Sequence, residues 1–122
     1  MRDAMRKSIG MGFAAVVVTT LASCSGTRPS DLGLVDGALR GCPPTPNCVS
    51  TEAQDEEHAI APIPYDGDAE TAMARMKGLI EAEPRTTVVT ESDGYLHAEF
   101  KSLIMRYVDD VEVHAAPGEG AL

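Results

Sequence analysis

The spacing of apolar and polar positions changes once along the chain, at Pro84. From Ala69 to Glu83, apolar residues recur at intervals of three or four, with charged residues between them. This spacing predicts an amphipathic helix whose buried stripe includes Leu79 and Ile80. The turn Asp66–Asp68 can cap the start of the helix, and Pro84 ends it.

Beyond Pro84 the pattern is typical of strands. Residues 86–90 are β-branched, and residues 95–102 and 107–115 alternate between apolar and polar side chains. Three successive strands after one helix predict an α+β fold, in which a small antiparallel sheet of about three to four strands packs against the helix. Residues 59–65 alternate apolar residues with prolines and can add a short edge strand.

The segment before the helix contains closely spaced Gly and Pro residues. We therefore expect Leu32–Gly41 and the cysteine loop that follows to be irregular. The charged run Gln54–His58 predicts a loop with His58 at the surface. Together these patterns place one domain at residues 32–115, and the small residues of 116–122 predict a disordered tail.

The N-terminus has the composition of an export signal. A positively charged start, residues 1–8, precedes an uncharged and mostly apolar stretch from Ile9 to Ala22. That stretch is shorter than the roughly 20 residues of a membrane-spanning helix. Leu21-Ala22-Ser23-Cys24 resembles a bacterial lipobox, which predicts a signal peptide at residues 1–23 and lipid attachment at Cys24. An ordinary cleaved signal is the alternative.

The lipobox-like sequence also predicts a cellular location. Ser25 follows the cysteine, whereas an aspartate there would resemble an inner-membrane retention signal. We therefore expect a lipid-anchored protein of the outer membrane that faces the periplasm, with residues 24–31 as a flexible tether. Its expected partners are the membrane, through the anchor, and an unknown envelope protein or small ligand.

Charge excludes several classes of partner. Without residues 1–23 the chain has 99 residues, with 10 − 3 = 7 basic and 19 − 1 = 18 acidic side chains, a net charge of −11. A chain this acidic argues against nucleic acid as a partner, because such binding depends on cationic contacts with phosphates. It also argues against electrostatic binding to anionic lipid head groups.

Two cysteines remain once Cys24 carries lipid. Cys42 and Cys48 lie in the sequence CPPTPNC, and export would place them in an oxidising compartment. We predict a disulfide between them. A free or metal-bound pair and a redox pair are the alternatives. A loop this short stabilises the fold by only roughly 2.4 kcal/mol in the chain-entropy account.

Several motifs together resemble the bacterial family known as domain of unknown function 1499. They are Asp36-Gly37, CPPTPNCVS, the acidic loop ending at His58, Ala61-Pro62-Ile63-Pro64-Tyr65, DGYLHAEF and the run Tyr107-Val108-Asp109-Asp110-Val111-Glu112. The resemblance runs from about Leu32 to His114. It implies a small α+β domain that is frequently exported and membrane-attached, and it implies no settled biochemical activity.

The chain departs from this family at its end. Members usually continue with another strand, an Arg-containing segment and a final helix, whereas this chain ends in AAPGEGAL. We therefore expect a C-terminally truncated copy, in which the strand at 107–115 lacks a neighbour. An unpaired apolar edge favours association with other chains.

One set of polar residues could hold a metal ion. If residues 103–106 form the loop of a hairpin, Tyr95 faces His114, His97 faces Glu112 and Glu99 faces Asp110 on one side of the sheet. The candidate metal ligands in this register are His97, Glu99, Glu112 and His114. Repulsion between Glu99 and Asp110 is the best argument for a cation, and a solvated sheet face is the simpler alternative.

No catalytic motif accompanies these residues, and we predict neither catalytic residues nor a cofactor. The sequence favours a non-enzymatic outer-membrane lipoprotein that acts as a binding or interaction module, through its sheet face or an open edge. A metal-binding or metal-dependent hydrolytic domain is one alternative. A degenerate truncated copy without function is the other.

Overall fold

The structure is a computed structural model that describes residues 27–122. The predicted signal peptide at 1–23, the lipidation site Cys24 and the first residues of the predicted tether lie outside the described residues. Their assignment therefore stays a prediction.

One helix and one three-stranded sheet form the body of the domain. The elements in chain order are β1 (Leu34–Val35), β2 (Ala38–Leu39), α1 (Ala69–Ala82), β3 (Thr86–Ser92), β4 (Tyr95–Lys101) and β5 (Val108–His114). The sheet order is β3-β4-β5, and both pairings are antiparallel. The predicted α+β fold is confirmed.

The helix begins and ends where its capping residues predict. The Asp68 carboxylate accepts a hydrogen bond from the Thr71 backbone N–H at 2.7 Å. This bond satisfies one of the free donors in the first turn. At the other end the helix stops at Ala82, two residues before Pro84.

The apolar core lies between α1 and the adjacent face of the sheet. Ile80 packs there with Leu96, Ala98 and Val113. The prediction that Leu79 is buried beside Ile80 is wrong, because 66% of Leu79 is exposed. Leu79 lies at the margin of the apolar stripe, and a three-stranded sheet is too narrow for the whole stripe to be covered.

The segment before the helix, predicted to be irregular throughout, contains a small hairpin. β1 and β2 pair across Asp36 and Gly37, whose φ angles are 54° and 81°. Positive φ at two consecutive turn residues is the requirement of a tight hairpin, and Asp-Gly satisfies it. The Asp-Gly pair was the signal for this turn.

The C-terminal tail is ordered, which corrects the prediction of disorder for residues 116–122. Leu122 exchanges two backbone hydrogen bonds with Ile63, each of 2.9 Å, and its side chain packs against the core. Residues 59–65 form isolated bridges rather than the predicted edge strand: Pro64 pairs with Ala121 of the tail, and Ala59 pairs with Ser50. Composition alone could not reveal a contact between such distant segments.

Candidate functional site

The second face of the sheet, away from α1, carries the polar cluster that the sequence predicted. β4 and β5 pair in the predicted register, with Tyr95 opposite His114, His97 opposite Glu112 and Glu99 opposite Asp110. Because paired residues share a face, these six side chains lie together on one side of the sheet. We call this set the polar face.

The polar face is buried, so the simpler expectation of a solvated sheet surface is wrong. His97 is 4% exposed and His114 is 7% exposed. The segment before α1 covers them: the Gly33 backbone N–H donates to the Glu112 carboxylate at 2.6 Å, and Glu52 reaches His114. The irregular segment is therefore a second layer over the sheet.

Each predicted metal ligand already has a protein partner. His97 Nε2 donates to the Asp110 carboxylate at 2.7 Å. The Tyr95 hydroxyl donates to the Glu112 carboxylate at 2.6 Å, on the same oxygen that accepts from Gly33. These bonds direct the imidazole and the carboxylates into separate pairs rather than toward a shared point.

Repulsion between Glu99 and Asp110 is relieved without a cation from solution. The Arg28 guanidinium donates to the Glu99 carboxylate at 2.6 Å, while Asp110 accepts from His97. The hydrogen bond from Arg28 lowers the pKa of Glu99 below its usual value, and the same bond raises the pKa of Arg28. A metal ion is therefore not needed to offset the charges of Glu99 and Asp110.

Glu52, which no sequence motif predicted as a contact residue, joins the covering segment to the sheet. One carboxylate oxygen accepts from His114 Nδ1 at 2.8 Å, and the other accepts from the Leu39 backbone N–H at 2.7 Å. The side chain thus ties β2 to the end of β5. No local pattern around Glu52 distinguishes it from its acidic neighbours.

The geometry does not support the predicted metal alternative. Within residues 27–122, no three His, Cys, Asp or Glu side chains are arranged so that they could hold a metal ion. His97, Glu99, Glu112 and His114 share a face, yet each is committed to a different hydrogen-bond partner. The polar face is a hydrogen-bonded layer that joins the covering segment to the sheet.

Tyr95 is the most strongly perturbed titratable group of this layer. Burial raises the pKa of its phenol well above the ordinary value, and its hydrogen bond to Glu112 raises that pKa further. A phenol in this setting keeps its proton and acts as a donor. Its arrangement suits a fixed structural bond and not proton transfer near neutral pH.

The disulfide predicted between Cys42 and Cys48 is present. His58 fixes the loop that it closes: His58 Nε2 lies 3.1 Å from the Thr45 carbonyl and Nδ1 lies 2.6 Å from the Asp55 carboxylate. The prediction of a surface position for His58 is wrong, since only 8% of the residue is exposed. The contact between His58 and Thr45, which lie 13 residues apart, could not be predicted from the charged run Gln54–His58.

Both partners of the His58 ring are acceptors, so both ring nitrogens must carry protons when the two bonds form. Accordingly, the hydrogen bond with Asp55 raises the pKa of His58, and the same bond lowers the pKa of Asp55. The protonated His58 ring thus holds the disulfide loop against the following turn through its two hydrogen bonds.

A shallow depression lies on the helix side of the domain. It has a volume of about 350 Å³ and is lined by the start of α1 and by the turn between β3 and β4, including Met73 and Tyr95. An ion pair of 2.6 Å between Lys77 and Glu91 borders it. Its polar lining residues are Glu70, Lys77, Glu91, Ser92 and Asp93, of which Lys77 and Glu91 bond to each other.

The outer edge of β5 is one of the two open edges of the sheet. No strand of residues 27–122 pairs with it. On the helix side of this strand Val111 is exposed, as is the preceding Tyr107, because α1 packs over β3 and β4. The edge therefore combines unpaired backbone groups with uncovered apolar side chains.

The residues described include no helix that is long and apolar enough to cross a membrane. A sequence model of the family described as "Protein of unknown function (DUF1499)" matches residues 38–122. No curated protein and no solved structure matches the chain. The predicted family resemblance is confirmed over the sheet, the helix and the disulfide loop.

Proposed function

The chain belongs to the DUF1499 family of proteins of unknown function, and we propose that it is a non-enzymatic envelope lipoprotein that binds a protein partner along the open edge of β5. The observation that carries this proposal is the contrast between the polar face and the β5 edge. The polar face is closed by the protein's own covering segment. Within residues 27–122 neither edge strand has a partner on its outer side, and α1 packs over β3 and β4 but leaves Tyr107 and Val111 beside the β5 edge exposed.

The backbone hydrogen bonds of β5 show which of its N–H and C=O groups remain free at the outer edge. Ser102 N–H donates to the Tyr107 carbonyl and Ala115 N–H donates to the Gly94 carbonyl, both at 2.9 Å. Odd-numbered residues of β5 therefore bond to β4, and even-numbered residues direct their backbone groups outward. Val108, the first of these, is exposed. An extended segment can pair with such an edge as an added strand.

Side chains along the edge indicate the chemistry of that segment. Asp109 and Val111 are exposed, and they lie on the same side of β5 as Tyr107. An acidic and apolar alternation complements a partner strand in which basic and apolar residues alternate. We therefore propose a basic, extended segment of another envelope protein as the occupant.

Two features support the envelope address. The lipobox-like sequence ends at Cys24, and the remaining two cysteines form a disulfide. Disulfides persist in exported proteins and are rare in the cytosol. Lipid at Cys24 would hold the domain at the periplasmic face of the outer membrane and place the β5 edge within reach of other membrane-associated proteins.

Metabolic labelling with a palmitate analogue tests the anchor. We expect a labelled product that fractionates with the outer membrane, and loss of the label in Cys24→Ala. The double variant Cys42→Ser/Cys48→Ser is the matched control, because it removes two thiols but should keep the label. Recovery of unprocessed, unlabelled chain from the cytosol, with three free thiols, would refute the proposed location.

A photo-reactive amino acid at position 111 tests the edge. In cells, we expect cross-links to a discrete partner, and mass spectrometry should map them to an extended segment rich in Lys or Arg. The control is the same group at Thr87, an exposed position on β3 at the opposite edge of the sheet. Equal cross-linking from both positions would count against a specific strand-pairing site.

A further inference from the structure

The loop that joins β4 and β5 is apolar and exposed. We call residues 103–106 the hairpin tip. The exposed fractions of Leu103, Ile104 and Met105 are 66%, 83% and 64%. Hairpin loops usually contain Gly, Asn, Asp or Pro, which satisfy the turn and face water. Three consecutive large apolar residues do not serve the turn, so their exposure requires another explanation.

Cations surround the hairpin tip, although the chain as a whole is acidic. Arg106 belongs to the tip, and Lys101, the last residue of β4, is separated from the tip only by Ser102. Arg85 joins them, since its guanidinium donates to the Lys101 carbonyl at 3.0 Å. Three of the seven cations in residues 27–122 therefore lie at one end of the sheet. Apolar residues flanked by cations match the layered chemistry of a bilayer with anionic head groups.

The path of the chain brings its start to the same end of the sheet. Arg28 bonds to Glu99, which lies three residues before Ser102 at the closure of the hairpin loop, whereas Gly33 bonds to Glu112 farther from the tip. The chain therefore runs away from the tip as it crosses the polar face. Cys24 lies four residues before Arg28, so their Cα atoms are at most about 14 Å apart.

We propose that the hairpin tip is a second membrane contact, which inserts Leu103, Ile104 and Met105 into the head-group region of an anionic phospholipid bilayer. This inference rests on the proposed lipid anchor at Cys24, which would place the bilayer at the tip end of the sheet. Together the anchor and the tip fix the orientation of the domain. The β5 edge then runs away from the membrane surface.

The local charge revises what the composition predicted. A net charge of −11 for the chain without residues 1–23 argues against attraction to anionic lipids if charge is spread evenly,. The structure concentrates Arg85, Lys101 and Arg106 beside the apolar tip instead. A second copy of the chain could also cover an apolar tip, and the experiment below separates that outcome from membrane insertion.

The chain contains no Trp, so a single introduced Trp reports on one site without background. We choose Ile104→Trp at the tip and Leu79→Trp on α1 as the matched control, because Leu79 is also an exposed aliphatic side chain. The protein is expressed from the full-length sequence, purified as the cell processes it, and reconstituted with vesicles of phosphatidylethanolamine and phosphatidylglycerol. We expect a blue shift of the Ile104→Trp emission, quenching by brominated acyl chains, and neither effect for Leu79→Trp.

Substitution of the flanking cations provides a second test of the membrane contact. In the Ile104→Trp background, Lys101→Gln/Arg106→Gln should reduce the vesicle-induced blue shift, as should high salt or replacement of the anionic lipid by phosphatidylcholine. Arg75→Gln, which removes a cation from the exposed face of α1, should leave the shift unchanged. Far-UV circular dichroism verifies that each variant retains the fold.

The outcomes separate the two proposals. If palmitate-labelled protein floats with the vesicles but the Ile104→Trp emission stays solvent-like, the lipid anchor is supported and the membrane contact of the tip is overturned. A blue shift without any palmitate label would keep the tip contact and overturn the lipid anchor. A blue shift that depends on protein concentration and needs no vesicles would assign the tip to a second copy and overturn its insertion in the bilayer.

Discussion

Glu52 accepts a hydrogen bond from Nδ1 of His114 at 2.8 Å, although 62 residues separate them in the chain. This bond joins the segment before α1 to the last residue of β5. Since His114 is buried, its ring depends on the carboxylate for a partner. The contact explains why a Gly- and Pro-rich segment forms a defined layer over the polar face.

We expect Glu52→Ala to lower the free energy of unfolding by about 1–3 kcal/mol, because it leaves His114 and the Leu39 N–H without an acceptor. Glu52→Gln should recover part of that loss, since an amide oxygen can still accept one bond. Chemical denaturation measures both. The control is Glu56→Gln, at an exposed position in the following loop. An equal loss of stability in this variant would contradict the conclusion that the bonds of Glu52 stabilise the covering segment.

Tyr95→Phe removes the hydroxyl that donates to Glu112 at 2.6 Å. We expect a loss of about 1.5–3 kcal/mol, typical of a hydrogen bond to a charged group. The matched control is Tyr107→Phe, whose hydroxyl belongs to an exposed side chain, and its effect should stay within about 0.5 kcal/mol.

The raised pKa of Tyr95 also predicts a loss of stability in alkali. The unfolded chain releases the phenolic proton near pH 10, whereas the folded chain retains it to higher pH,. The contribution of Tyr95 is thus complete below about pH 10 and is lost as pH rises further. Denaturation midpoints of wild type and Tyr95→Phe should converge in that range; a constant difference would contradict the assignment.

His58 should make the disulfide loop sensitive to pH. The folded pKa of His58 is raised by Asp55, so its contribution to stability is complete below about pH 6.5 and is lost as pH rises through the folded pKa,. The pKa of Asp55 is lowered, so its contribution is present above about pH 4 and is lost as pH falls through its own folded pKa,.

The stability difference between wild type and His58→Gln measures this effect. It should be largest between the two pKa values and should shrink at alkaline pH. Glutamine can still donate to the Thr45 carbonyl, so the pH-dependent part isolates the ionic bond with Asp55. A difference that stays level from about pH 5 to about pH 9 would show that His58 is not charged in the folded protein.

Ile80 and Leu79 are adjacent on α1 but differ in burial. We expect Ile80→Ala to cost about 2–5 kcal/mol, because it leaves a cavity against Leu96 and Val113. Leu79→Ala should change stability by less than about 0.5 kcal/mol. Thermal unfolding by circular dichroism measures both, and equal losses would place the helix in a different rotation.

The same experiment bears on the alternative of a degenerate copy without function. A packed core predicts one cooperative transition, whose midpoint falls in Ile80→Ala. A broad transition that is insensitive to Ile80→Ala would instead favour a chain that no longer forms its core.

Local pattern determined the helix, the three main strands and the hairpin register of this protein. The helix follows from apolar spacing and from Asp68 and Pro84 at its ends, which act within a few residues. Alternation fixed the pairing of Tyr95 with His114, because a slip of one residue would exchange the two faces of the sheet,. The Cys42–Cys48 bridge followed from two cysteines in a short loop.

Tertiary structure decided what each surface became. Glu52, Gly33 and Arg28 close the polar face from distant parts of the chain, and Leu122 pairs with Ile63. These contacts turned predicted metal ligands and a predicted disordered tail into parts of the packed domain. Alternation states which side chains share a face, but the layer that covers that face depends on long-range packing, which no local pattern encodes.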